Sequence, residues 1–176
     1  MGVRSSVEVI SSLDSGQCEA GDLPGIYMGH TSNGRLICGG DLTLSTMRSC
    51  VTLINGSWVT THHLLEKRSY HMSWVRPDGR VMLLGGWISR NTTEILSDAG
   101  DSQPGFSLRY QTRDACLIDE GETVLITGGY STMTTVSRYD VTGWKHDTEE
   151  LGTGRYFHGC ARYHDISWGG MVRREI

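Results

Sequence analysis

The chain has 176 residues, of which 38% are hydrophobic and 20% charged, and its formal net charge is −4. That length supports one domain with a real core, and the acidic balance argues against general affinity for nucleic acid or anionic lipid. No stretch approaches the roughly 20 apolar residues that cross a bilayer, and Met1 to Ser6 lack the apolar segment of a signal peptide.

Taken in order, the chain reads as short strands. Residues 7–10 are a β-branched run. Leu36-Ile37-Cys38 follows an Asn33-Gly34 turn and ends in Gly39-Gly40. Residues 50–54 form the next strand, and the one after it carries Trp58. The following stretch lays out a whole unit. Residues 71–75 are a first strand, Asp78-Gly79 supplies a tight turn, and residues 80–84 are a second strand, apolar enough to be buried on both faces. Gly85-Gly86 ends it. Residues 92–96 read as a third strand and 106–110, starting at Phe106, as a fourth. The parts recur with a turn at Glu120-Gly121, then Leu125-Ile126-Thr127-Gly128-Gly129, a third strand at 136–141 containing Tyr139, and Trp144 beyond it. A weaker copy, Ile166-Ser167-Trp168-Gly169-Gly170, lies near the end. With 23 glycines, 3 prolines and no amphipathic helical period, the expected class is all-β.

The first glycines of the four doublets stand at 39, 85, 128 and 169, so the pattern repeats in steps of 46, 43 and 41 residues. Such a period marks stacked supersecondary units. The repeats run over roughly 7–29, 30–70, 71–115, 116–157 and 158–176. Each whole unit ends with a basic residue and a further repeated position three residues on: Arg68 with His71, Arg113 with Cys116, Arg155 with His158. The first unit has Tyr27 and His30 there. A four-stranded meander has two apolar faces and cannot bury them alone. Face-to-face packing around an axis buries both, which is a β-propeller. Trp58 and Trp144 are then expected between neighbouring sheets, with Trp144→Ala costing roughly 3–5 kcal/mol.

These features resemble the kelch repeat family. The pattern is carried by Gly128-Gly129, Tyr139, Trp144, Leu151, Arg155 and His158, and nearly as well by Gly39-Gly40, Trp58, Leu65, Arg68 and His71. Gly85-Gly86, Phe106 and Arg113 form a degraded copy, and Leu23-Pro24 before Tyr27 matches the family's leucine-proline. The resemblance covers about residues 7–170. It implies a kelch-type propeller of about four blade equivalents, counted as a half, three whole units and a half. Kelch rings are mostly larger, so an incomplete arc prone to self-association through its terminal blades is expected. The rival arrangement, a closed four-bladed ring, would require residues 7–10 to pair with 166–168.

The chemistry-bearing residues read blandly. His62-His63 lacks a third ligand at useful spacing and is expected in a solvated loop. His30, His71 and His158 recur at the structural period, which indicates packing. Asp147, Glu149 and Glu150 read as a solvated acidic run. No metal, cofactor or catalytic residue is assigned. The five cysteines, Cys18, Cys38, Cys50, Cys116 and Cys160, are odd in number and irregular in spacing, so free thiols and a cytoplasmic, reducing setting are expected. The glycosylation sequons at Asn55 and Asn91 are then chance matches, as is the acylation pattern of Gly2 and Ser6.

The resemblance implies a protein-binding scaffold, of the substrate-receptor or cytoskeletal-adaptor kind, that presents loops to a protein partner. Residues 55–67, 90–104 and 145–154 are the expected contact segments. Two rivals remain open: a carbohydrate-active enzyme, as some propeller relatives are, and a structural fragment without autonomous activity. The enzyme would show convergent polar groups and a perturbed pKa at the axis.

Overall fold

Apolar runs of three to six residues, each closed by a turn residue, can bury themselves only as strands. In a computed structural model of the chain, residues 7–9, 18–20, 23, 30–33, 36–42, 45–147 and 150–160 are described. Among them every regular element is a strand and none is a helix.

Strands β1 (Val7–Val9) and β2 (Cys18–Ala20) make a two-stranded antiparallel sheet. Next, β3 (Thr31–Asn33), β4 (Leu36–Cys38), β7 (Ser49–Ile54) and β8 (Ser57–His63) form a four-stranded sheet in that order. A small hairpin, β5 (Asp41–Leu42) with β6 (Ser45–Thr46), rises from its middle connection. A second sheet contains β9 (Met72–Val75), β10 (Val81–Gly86), β11 (Arg90–Leu96) and β12 (Ser102–Pro104). A third contains β13 (Cys116–Asp119), β14 (Thr123–Thr127), β15 (Val136–Asp140) and β16 (Gly143–Asp147). All these ladders are antiparallel, and the described sheets do not close into a barrel. The first strands β3, β9 and β13 stand beside one another, so the three sheets are neighbours in chain order.

The core lies between sheets. Leu83 of β10 faces one way, with Cys38, Cys50, Leu64 and Leu96. Met82 and Leu84 face the other, with Met72, Trp74, Val124, Ile126 and Tyr139. Strand β10 is therefore buried on both sides, as its composition requires. The predicted turn at Asp78-Gly79 is present: Gly79 takes φ +81°, and its N–H donates to Arg76 O at 2.8 Å.

Several expectations are corrected. The fourth strand of the middle unit is β12 at Ser102–Pro104, so Phe106 follows it and does not start it. Phe106 instead stacks on Tyr139, with ring centroids 5.6 Å apart. Trp144 is 38% exposed and so does not fill the space between sheets; buried Tyr139 does. Trp58 is half-buried against Ile37 and Val51. His62 and His63 end strand β8 and are not in a loop.

The cysteines also differ from expectation. Cys38 and Cys50 lie directly opposite each other on β4 and β7 and are disulfide-bonded. Cys116 and Cys160, 44 residues apart in sequence, form a second disulfide. Cross-strand register brings the first pair together and packing of the chain after Arg155 the second, and linear spacing carries no trace of either. Gly169, Gly170 and residues 166–168 lie outside the described residues, as does the proposed pairing of 166–168 with 7–10.

Candidate functional site

The end of each second strand sets up one face of the molecule. The first glycines of the doublets, Gly39, Gly85 and Gly128, have φ of +60°, +67° and +61°. A Cβ there would lie 2.3 Å from Arg68 O, 2.3 Å from Thr112 O and 2.4 Å from Arg155 O. Only glycine combines that backbone with that approach. The second glycines exploit the closeness, because the N–H groups of Gly40, Gly86 and Gly129 donate to the same three carbonyls at 2.7, 2.9 and 2.8 Å.

These contacts fix which residues are equivalent. Arg68, Thr112 and Arg155 share one slot. Two residues on, Tyr70, Asp114 and Phe157 all take a left-handed backbone, with φ of 55°, 55° and 49°. His71, Ala115 and His158 come next. Arg113 and Cys116 are thus one residue out of the register that the sequence suggested, and their slots belong to Thr112 and Ala115.

The consequence is a difference of environment. Arg68 is buried and pairs with buried Glu94. Its guanidinium also donates to Gly85 O at 2.8 Å and to Thr92 O and Oγ1, each at 3.0 Å. Arg113, carried one position further, reaches the surface. There it lies 3.4 Å from the Trp87 ring centroid and 4.0 Å from that of Tyr130. Arg155 is exposed.

Around Arg113 the rings continue. Tyr130 meets Tyr156 edge-on at 5.8 Å, Tyr156 meets Phe157 at 5.6 Å, and Phe157 meets Tyr70 at 5.8 Å. Trp87 is 52% exposed, Tyr130 49%, Tyr156 47% and Phe157 66%, so the run is an open surface and not a core. Five chain segments build it, and main-chain bonds hold them in place. Trp87 N–H donates to Ser69 O at 2.8 Å, Tyr130 N–H to Arg113 O at 3.0 Å, Asp114 N–H to Tyr70 O at 3.1 Å and Phe157 N–H to Asp114 O at 2.9 Å. A cleft of about 200 Å³ opens beside Arg113, lined also by Trp87, Arg90, Gln111, Tyr130 and Ser131.

Titratable groups beneath the surface are perturbed by burial. Desolvation lowers His71 to about 3, helped by the nearby charges of Arg68 and His30, so His71 is neutral. Its Nε2 shares a 2.9 Å hydrogen bond with Thr31 Oγ1. His158 is lowered by the same desolvation, with Arg155 adding to it, and it meets Thr127 Oγ1 at 3.1 Å. Burial pushes the Asp114 carboxyl up, and the Arg113 charge opposes that. Asp114 Oδ1 is buried without a hydrogen-bond partner.

Of the expected contact segments, 55–67 is largely strand β8 and 90–104 contains β11 and β12. Only Arg90 of those segments lines the cleft. Asp147, read as part of an acidic run, ends β16 and accepts from Tyr110 Oη at 2.8 Å and Trp144 Nε1 at 3.2 Å. Glu150 is exposed, and Glu149 lies outside the described residues. The aromatic run was missed, although the sequence holds a signal for it. An aromatic follows the glycine doublet twice, at Trp87 and Tyr130, and Tyr156-Phe157 directly follows Arg155. Among the described residues no group of three or more His, Cys, Asp or Glu could hold a metal ion. No helix there is long and apolar enough to cross a membrane.

No family model matches the chain, and no curated protein matches it. Among solved structures, that of YjhT is similar in fold, with a TM-score of 0.73 and 12% identity over 89% of this chain and 68% of that one. At that identity the likeness concerns the fold alone.

Proposed function

We propose that the chain is a kelch-type β-propeller arc that works as a protein-binding module without turnover. The in-phase glycine doublets and the three successive meanders support the propeller reading. One observation carries the binding reading: the unbroken surface run of Trp87, Arg113, Tyr130, Tyr156, Phe157 and Tyr70. Trp, Tyr and Arg are the residues that dominate binding energy at protein interfaces. A row of exposed rings this long is wider than one small ligand, and main-chain bonds preorganise it. The two disulfides favour an oxidising setting over the cytoplasmic one expected from the sequence.

Selection of a displayed protein library on the immobilised chain tests this reading. Selected binders are expected to weaken at least tenfold on Trp87→Ser or Tyr156→Ser, and not on Trp144→Ser, which alters an exposed ring outside the run. Binders indifferent to both changes would count against the surface. The carbohydrate-active alternative has one observation in its favour, the raised carboxyl of Asp114 beside exposed rings. Turnover of a sugar that is lost in Asp114→Asn would establish that alternative.

A further inference from the structure

Arg113 has an unusual balance of satisfied and unsatisfied surfaces. Both faces of its guanidinium are covered, by the Trp87 ring at 3.4 Å and the Tyr130 ring at 4.0 Å. The stacking leaves the planar group little freedom to turn. Its edges are different. The carboxylate paired with it, Asp114 Oδ2, lies 3.6 Å from Nε and beyond hydrogen-bond distance. No described residue accepts a hydrogen bond from Arg113, although its side chain is only 16% exposed. Arg68 shows what the same residue type does when satisfied: it binds Glu94, Gly85 O and Thr92. Arg90 lines the same cleft, with one hydrogen bond, from Nη1 to Gln111 Oε1 at 3.2 Å.

We infer that the cleft beside Arg113 is the anchor for a carboxylate, supplied by an Asp or Glu side chain of a partner polypeptide. A guanidinium held by its faces with free N–H edges matches a carboxylate in plane and in two-point geometry. The charge count selects the anion. Arg90 and Arg113 are opposed by Asp114, so a monoanion is accommodated and a phosphate dianion is less well matched. The surroundings select the source. Tyr130 lines the cleft and meets the exposed ring of Tyr156, which in turn meets exposed Phe157, so an apolar surface runs on from the acid's place and suits the neighbouring side chains of a peptide. The inference rests on the protein-binding reading and adds its chemistry.

The test uses a displayed library of blocked nine-residue peptides against the full chain, followed by titration of selected peptides with Trp87 fluorescence as the signal. Selected peptides are expected to carry an Asp or Glu whose change to Asn or Gln weakens binding at least tenfold. That penalty should vanish in Arg113→Gln and persist in part in Arg113→Lys, which keeps the charge but loses the fork. Should Arg113→Gln fail to fold, the acid-to-amide change within the peptide, which needs no protein variant, gives the result alone. Peptides that bind through Trp87 and Tyr156 yet tolerate the acid-to-amide change overturn the carboxylate anchor and leave the protein-binding reading standing. If no peptide is selected while free glucuronate quenches Trp87 in an Arg113-dependent way, the peptide source and the protein-binding reading fall together.

Discussion

The two seams between the three four-stranded sheets are built from the same repeat but held by different forces. In the seam between the sheets of β3 and β9, Arg68 crosses from one unit and clasps Glu94, Thr92 and Gly85 of the next. In the seam between the sheets of β9 and β13, the slot of Arg68 holds Thr112, which makes no such crossing. There the weight falls on Trp74, Met82, Leu84, Val124, Ile126 and Tyr139, with Phe106 stacked on Tyr139. The comparison teaches that the repeat fixes the backbone through its glycines while each seam's chemistry is free to vary. It also explains the surface. With the slot filled by a threonine, Arg113 is released to stand between Trp87 and Tyr130.

The largest expected effect breaks the polar seam. Arg68→Met leaves the buried Glu94 carboxylate with one remaining partner, Leu65 N–H at 2.7 Å. The cost should be roughly 3–5 kcal/mol, read as a lower denaturation midpoint. Combining it with Glu94→Leu should recover a good part of that loss, because the uncompensated charge goes too. A double variant as unstable as the single would place the cost in the lost carbonyl contacts instead.

Breaking the apolar seam should cost slightly less. Tyr139→Ala removes a buried ring from beneath Phe106 and should destabilise by roughly 3 kcal/mol. Tyr139→Phe keeps the stack and loses the polar contacts of the phenol, chief among them the bond from Arg109 N–H to its oxygen, 3.1 Å long, so about 1 kcal/mol is expected. Equal losses for the two variants would show that the hydroxyl, and not the stack, holds the seam.

Acid should discriminate between the seams. His71 sits against the polar seam and is neutral in the fold, with its pKa lowered to about 3 by burial. The unfolded chain protonates it near 6.5. Between these values the unfolded state binds the extra proton, so stability rises with pH and is lost as pH falls from 6.5 towards 3. By pH 4.5 the loss from this one group should be about 2–3 kcal/mol. His158, lowered for the same reason, adds to it in the same direction. Unfolding measured at pH 7 and 4.5 should show a smaller difference in His71→Gln than in the native chain. An unchanged difference would assign the acid sensitivity to the carboxylates.

The smallest effect concerns Trp144. It lies outside both seams, exposed, with the Arg109 guanidinium 4.3 Å above its ring. An exposed contact of that kind contributes about 0.5–1 kcal/mol, so Trp144→Ala should shift the denaturation midpoint only slightly. A loss of several kcal/mol would restore the sequence-based reading of Trp144 as a wedge between sheets.

What the sequence determined by itself is local. The alternation of apolar runs with Asn-Gly, Asp-Gly and Glu-Gly turns placed β4, β7, β10, β14 and β15 within a residue or two, because strand and turn preferences act over a few neighbours. The glycine doublets were legible because their cause is local too: a backbone that takes positive φ where a carbonyl leaves no room for Cβ. What only the tertiary structure decided involves partners far apart in the chain. The fourth strand of the middle unit ends at Pro104, so the connection to β13 is longer than the pattern implied, and Arg113 slips one position off the slot of Arg68. Whether Trp144 or Tyr139 filled the seam depended on which face of β15 and β16 met the neighbouring sheet. Cys116 met Cys160 only because folding laid the segment after Arg155 against β13. The surface run from Trp87 to Tyr70 needs five connections brought together, and in the linear chain its rings are scattered over 88 positions, from 70 to 157. Sequence patterns report what neighbours along the chain do to one another, and this surface is made by residues that are neighbours only in space.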